Sequence, residues 1–184
     1  MGQKLRIEEM NRLSEPAFKE SEKIPVIVAL DNVRSMHNVG AIFRIADCFR
    51  IEKMILGGVS PSPPHREITK TAIGAETTVS WEHRSELLPV IRELQQAGYL
   101  ICSLEQAHQS NSLHTFPVQM DQKYVLVLGH EINGIDQTLV DLSDVVLEIP
   151  QFGTKHSLNV SVAAGIALHH LSMGLWFPSS DNHS

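Results

Sequence analysis

Three stretches of the chain carry residue types able to do chemistry, and each follows or ends a short apolar run. Residues 31–44, after the run at 26–30, hold Arg34, Ser35, His37, Asn38, Gly40 and Arg44. A polar loop at the carboxyl end of a parallel strand is where open α/β sheets place their ligand sites. Asn38 is of the type that caps a helix, and Arg44 follows within the second turn of a helix starting there. A capped helix with an exposed arginine is the plain alternative for this stretch. Residues 125–135 pass from an apolar run into Gly129, His130, Glu131 and Gly134. Glycines there let backbone approach a ligand or take positive φ, and a carboxylate between them can orient a neighbour. Residues 149–161 hold Pro150, Gly153, Lys155, His156, Ser157, Leu158, Asn159 and Ser161. Pro150 and Gly153 break the strand, and Asn159 is the candidate N-cap of the helix that follows.

Several other chemistries are excluded by motif. The Rossmann G-x-G-x-x-G, the P-loop, G-x-S-x-G and H-E-x-x-H are all missing. His130-Glu131 has no second histidine at metalloprotease spacing. Cys48 and Cys102 have no C-x-x-C spacing and cannot form a zinc site by themselves, so no metal is expected. So few cysteines suit a reducing compartment. The charged N-terminus is not a signal peptide and no apolar stretch is long enough for a bilayer, so the expected address is cytoplasmic, with no membrane partner.

These stretches are positioned by elements with a recognisable pattern. The 184 residues suffice for a sizeable core, and 42% hydrophobic with 20% charged residues is a globular composition. Buried strands are expected at 26–30, 54–56, 99–104, 125–128 and 145–149, each apolar without strict alternation, as in sheets covered on both faces. Helices are expected at 38–49 and 85–96 from their 3.6-residue stripes, and at 160–176. Alternation of strands and helices predicts an α/β fold with a parallel sheet flanked by helices. Residues 1–24 read as a helical extension with Leu5, Ile7, Met10 and Leu13 as anchors, residues 60–66 as a proline-bound loop, and 178–184 as a disordered tail. Helix 160–176 is apolar nearly all round, which implies burial on several sides, including in a subunit interface. His169 and His170 read as a structural pair near its end. Charge is uneven: the net is 0 over 1–24, +2 over 25–70, −8 over 71–150 and 0 over 151–184, in a chain of net charge −6. That balance leaves the partner undecided, since nucleic-acid affinity rests on phosphate contacts.

Taken in order, the stretches contain N-x-G-x-x-x-R at Asn38, Gly40 and Arg44, then G-x-E-x-x-G at Gly129, Glu131 and Gly134. They close with S-L-N-x-S at Ser157, Leu158, Asn159 and Ser161. This set resembles the SpoU/TrmH family of the SPOUT superfamily, RNA 2′-O-ribose methyltransferases, over residues 25–177. The resemblance implies a catalytic domain across those residues with a C-terminal deep trefoil knot (the SPOUT fold). It implies S-adenosyl-L-methionine bound near Leu104, Leu128, Gly129, Ile149, Ser157 and Leu158, an RNA substrate (tRNA or rRNA), and a homodimer with the active site near its interface.

The resemblance also implies roles. Arg44, Asn38, Glu131, Ser157 and Asn159 form the catalytic set; Arg34, Asn38, Arg44, Lys155 and His156 meet RNA. Deprotonating an arginine side chain at pH 7 costs about 7 kcal/mol, which favours Arg44 as a bidentate phosphate clamp over a neutral base, without closing the second option. A knotted RNA-binding module without catalysis and a nucleotide-dependent oxidoreductase are the alternatives. The first is disfavoured by the complete set of motif side chains, the second by the missing glycine fingerprint.

Overall fold

The computed structural model describes residues 2–177. Its seven strands are β1 (Ile24–Asp31), β2 (Ile51–Gly57), β3 (Trp81–Arg84), β4 (Tyr99–Leu104), β5 (Asn111–Ser112), β6 (Lys123–Leu128) and β7 (Val145–Glu148). They form one sheet in the order β3-β2-β1-β6-β4-β7-β5, with every neighbouring pair parallel. The anticipated strands are all present, and β3 and β5 are additions. Neither carries an apolar run: β3 is Trp-Glu-His-Arg at an edge, and β5 is two polar residues borrowed onto β7.

Residues of β1 alternate between two cores, as period-two geometry requires. Val26, Val28 and Leu30 face one layer with Met54, Leu56, Val39, Phe43, Ala164 and Leu168. Ile27 and Ala29 face the other with Ile55, Ile101, Val125, Val127, Leu87 and Ile91. The first layer contains α1 (Glu15–Glu20), α2 (Met36–Cys48), α3 (Arg66–Ala72), α4 (Ala75–Thr78) and α7 (Val160–Trp176). The second contains α5 (Leu87–Gln96) and α6 (Gln137–Leu142). Each fully buried Val, Ile or Phe contributes roughly 1.5–3 kcal/mol, so β1, buried on both faces, anchors the fold.

Helix α2 begins earlier than its stripe implied. Ser35, not Asn38, is the N-cap and accepts from the Asn38 amide at 3.3 Å. Asn38 therefore sits inside the first turn with its side chain free for another purpose, and Arg44 falls in the third turn. Gly40 has a packing reason: an added Cβ would lie 2.1 Å from Thr71 Oγ1 and 2.3 Å from the Ile68 carbonyl, so glycine lets α2 and α3 touch. Three of the four N-terminal anchors are also corrected. Leu5, Met10 and Leu13 are exposed, the side chain of Ile7 lies outside the described ones, and among those described before β1 Phe18 of α1 reaches the core. Only four residues of 3-10 helix and the short α1 form there, too little to present a continuous apolar stripe. Arg66 opens α3 rather than lying in the proline loop. The expected tail at 178–184 lies outside the described residues.

Helix α7 spans the expected residues, capped by Asn159, whose Oδ1 accepts from the Ser161 amide at 2.8 Å. Ala164 and Ala167 are fully buried, and a Cβ on Gly174 would collide with Val118 at 2.4 Å. Small residues thus permit close packing on two sides. His170 lies 2.8 Å from the Phe116 carbonyl and His169 meets the Phe49 ring edge-on, consistent with structural roles for both.

Candidate functional site

The carboxyl ends of β1 and β6 lie side by side, and the chain leaves them in opposite directions along the sheet, toward β2 and toward β7. Such a switch point opens a crevice between loops that part. The loop after β1 carries Arg34 and Ser35, the loop after β6 carries His130 and Glu131, and α7 begins beside both.

Glu131 reaches across this crevice. Its Oε2 accepts from the Arg34 amide at 3.1 Å, and its Oε1 accepts from the Ser35 amide at 3.0 Å and from Asn38 Nδ2 at 2.9 Å. Asn38 is buried, and its Oδ1 accepts from Asn159 Nδ2 at 3.1 Å. Asn159 Oδ1 in turn accepts from the amide and hydroxyl of Ser161, at 2.8 and 2.6 Å. A continuous hydrogen-bonded chain, Glu131–Asn38–Asn159–Ser161, therefore joins all three polar stretches. Burial pushes the Glu131 carboxyl up, but the hydrogen bonds from Asn38, Ser35 and Arg34 more than offset it and hold it below its ordinary value. Asn38 satisfies both ends of its amide, which fixes its orientation without a charge.

Beside this chain, at the ends of β4, β6 and β7, lies a cleft of about 380 Å³. Leu104, Leu128, Gly129, Ile149, Ser157 and Leu158, the six expected binding residues, all line it. Glu131 and Asn159 line it as well. Two glycines shape its wall. A Cβ on Gly129 would lie 2.3 Å from Gly134 C, and Gly134 takes φ +70°, a left-handed conformation that favours glycine. The two amides and carbonyls of His130 and Gly134 pair at 3.0 and 2.9 Å, closing the loop into a tight turn.

The remaining expected residues lie outside the cleft. Arg44 is on the exposed face of α2, six residues or about 9 Å along the helix from Asn38. Arg34, Lys155 and His156 are exposed on the neighbouring loops. Among the described residues Glu131 does not bond Arg44; it holds the loop instead. Three further residues were not singled out from sequence. Asp31 is 5% exposed and its Oδ2 accepts from the Asp136 amide at 2.7 Å, tying β1 to the end of the β6 loop. Glu105 and Gln106 line the cleft at the end of β4. Their signal was available, since they are polar residues directly after an apolar strand.

The model of the SpoU rRNA methylase family matches residues 25–169. Among curated relatives, the 23S rRNA (guanosine-2′-O-)-methyltransferase RlmB of Neisseria meningitidis is 30% identical over 159 residues, covering 86% of this chain and 59% of that protein. Among solved structures, a TrmH/SpoU tRNA modifying enzyme of A. aeolicus superposes with TM-score 0.75 at 26% identity, covering 84% of this chain and 77% of that one. An AdoMet-bound rRNA methyltransferase of Sinorhizobium meliloti gives TM-score 0.78 at 27% identity, covering 86% and 60%. The chain spans about three fifths of the length of the curated relatives it matches. The stretch matched by the family model begins on β1 and ends within α7, enclosing every residue of the Glu131–Asn38–Asn159–Ser161 chain, and the protein belongs to the SpoU rRNA methylase family.

Proposed function

We propose that this chain methylates a ribose 2′-hydroxyl in RNA, rRNA or tRNA, using S-adenosyl-L-methionine. The observation that carries the reading is the hydrogen-bonded joining of the three motifs at the rim of the cleft. The residues fit the cofactor. The cleft falls within the roughly 300–1,000 Å³ of small-molecule sites. Leu104, Leu128, Ile149 and Leu158 offer apolar surface to an adenine, while Glu105, Glu131 and Glu148 give the cleft a negative character suited to a positively charged ligand. Once bound, that cofactor supplies a methyl group already activated by its sulfonium.

The protein's task is then to bring the ribose hydroxyl to that methyl and to stabilise the alkoxide that forms. Arg44, exposed and without an ion-pair partner among the described residues, clamps the phosphate beside the target ribose, and a phosphate oxygen takes the hydroxyl proton. Glu131 holds the loop bearing Arg34, Asn38 fixes the start of α2 against Asn159, and Ser157 and Asn159 shape the reacting end of the cleft. Arg34, Lys155 and His156 meet RNA from the two flanking loops.

The catalytic unit spans residues 25–177, with 1–24 as an extension. A trefoil knot is supported by the path of α7, which follows β7 yet packs back onto β1 and α2. A homodimer is supported by Val162 and Ile166, exposed on α7, and by a groove of about 1050 Å³ between α7 and residues 113–121. No helix among the described residues is long and apolar enough to cross a membrane, and the proposed address is the cytoplasm, where RNA is modified. The test is transfer of label from methyl-labelled S-adenosylmethionine to bulk RNA, followed by ribose mapping in cells lacking the protein. RNA binding without transfer would instead identify a non-catalytic module.

A further inference from the structure

Residues 150–158 form one wall of the cleft through Ser157 and Leu158, yet this segment is almost unsupported. Nearly all of it is exposed, with Phe152 at 97%. Among the described residues it makes no backbone–backbone hydrogen bond. The single hydrogen bond that ties it to the rest of the described residues runs from Gln106 Nε2 to the His156 carbonyl, at 2.8 Å. Gln106 stands directly after β4, whose end is held firmly: the Glu105 amide donates to the Leu147 carbonyl at 2.9 Å. Its neighbour Glu105 turns the other way. Glu105 Oε2 accepts from the Ile135 amide at 3.0 Å and occupies the space where a Cβ of Gly134 would stand, 2.3 Å away. Consecutive residues at one strand end therefore grip the two opposite walls of the cleft, 129–135 and 150–158.

We infer that Gln106 is a positioning residue for the cofactor site, its side-chain amide latching the 150–158 wall to the end of β4 and so setting the width of the cleft. The inference rests on the methyltransferase reading for the identity of the ligand, but the latch itself is a property of the free protein. Without it, the stretch between Ile149 and the α7 cap Asn159 would lose the hydrogen bond that fixes its middle beside the cleft, and binding would first have to order that stretch, which weakens affinity.

The experiment uses the full chain with three substitutions: Gln106→Met, which keeps the length but loses the donor; Gln106→Glu, which sets an acceptor against the His156 carbonyl; and Gln106→Lys, which keeps a donor. Trypsin cleavage after Lys155, measured without ligand, reads the tether, and calorimetric titration with S-adenosylhomocysteine reads the cleft. Gln106→Met is expected to be nicked several-fold faster than wild type and to bind about three- to ten-fold more weakly, the effect of one lost hydrogen bond. Gln106→Glu should be worse on both readouts, and Gln106→Lys should recover toward wild type. Equal nicking of Gln106→Met and wild type would overturn the latch. Faster nicking with unchanged affinity would overturn its role in the cofactor site. Failure of wild type to bind S-adenosylhomocysteine would instead strike the methyltransferase reading and, with it, the role assigned to the latch.

Discussion

Replacing Glu131 by glutamine should loosen the junction of all three motifs by an amount that the geometry sets. The carboxylate accepts three hydrogen bonds, two on Oε1 and one on Oε2. A glutamine keeps one oxygen, so whichever way its amide turns, an N–H group faces at least one donor and at least one bond is lost. A hydrogen bond to a charged group is worth about 1.5–3 kcal/mol, and at this half-exposed position water can partly replace it, so the lower end, about 1.5 kcal/mol, applies. For a chain of this size that corresponds to a fall of roughly 3–6 °C in the thermal midpoint. Acid should erase the difference. The folded carboxyl titrates below its ordinary value of 4.5, so its stabilisation is present above that pH and disappears as the pH falls through the lower, folded value. Thermal melts followed by circular dichroism from neutral to acidic pH would measure both effects. A midpoint equal to wild type at neutral pH, or a gap that fails to narrow in acid, would refute the assignment of Glu131 as the keystone of the loop.

Arg44→Ala should abolish methyl transfer while leaving S-adenosylhomocysteine affinity nearly unchanged, because Arg44 lies outside the cleft; Arg44→Lys should remain badly impaired if a planar fork grips phosphate, whereas a neutral-base role leaves measurable activity with an altered pH profile. Gly40→Ala forces α3 away from α2 against a backbone carbonyl 2.3 Å from the new Cβ, and chemical denaturation should register a loss of about 1–3 kcal/mol. Burial, aided by Asp144, pushes the Cys102 thiol up to about 12, so iodoacetamide on the native protein at mildly alkaline pH should label exposed Cys48 and spare Cys102, as peptide mass mapping would read. Light scattering should return twice the chain mass of 20.5 kDa at micromolar concentration, and a monomer would count against the dimer assigned to α7.

The apolar runs at 26–30, 99–104 and 125–128 marked their strands from sequence because a strand buried on both faces leaves no polar alternation to confuse it with a surface element. Polar residues following those runs marked the candidate site, where the cleft lies, for a related reason: a parallel sheet ends in loops, and loops there carry residues that packing does not need. Local sequence also determined α7 and its Asn159 cap, since a cap acts within its own first turn. What it did not determine was which side chain would meet which. Asn38 looked like a cap, and only the tertiary structure shows Ser35 taking that role and freeing Asn38 to bridge Glu131 and Asn159, residues 93 and 121 positions away. The edge strands β3 and β5 exist because neighbouring strands offer unpaired backbone, not because their own residues prefer extended structure. Glu105 and Gln106 are ordinary polar residues in sequence and become wall-holding groups only because β4 ends between the loops after β6 and β7. Residue type and period are written locally along the chain, whereas the partners that long-range hydrogen bonds select depend on how the strands are ordered across the sheet, and that order is settled only when the whole core packs.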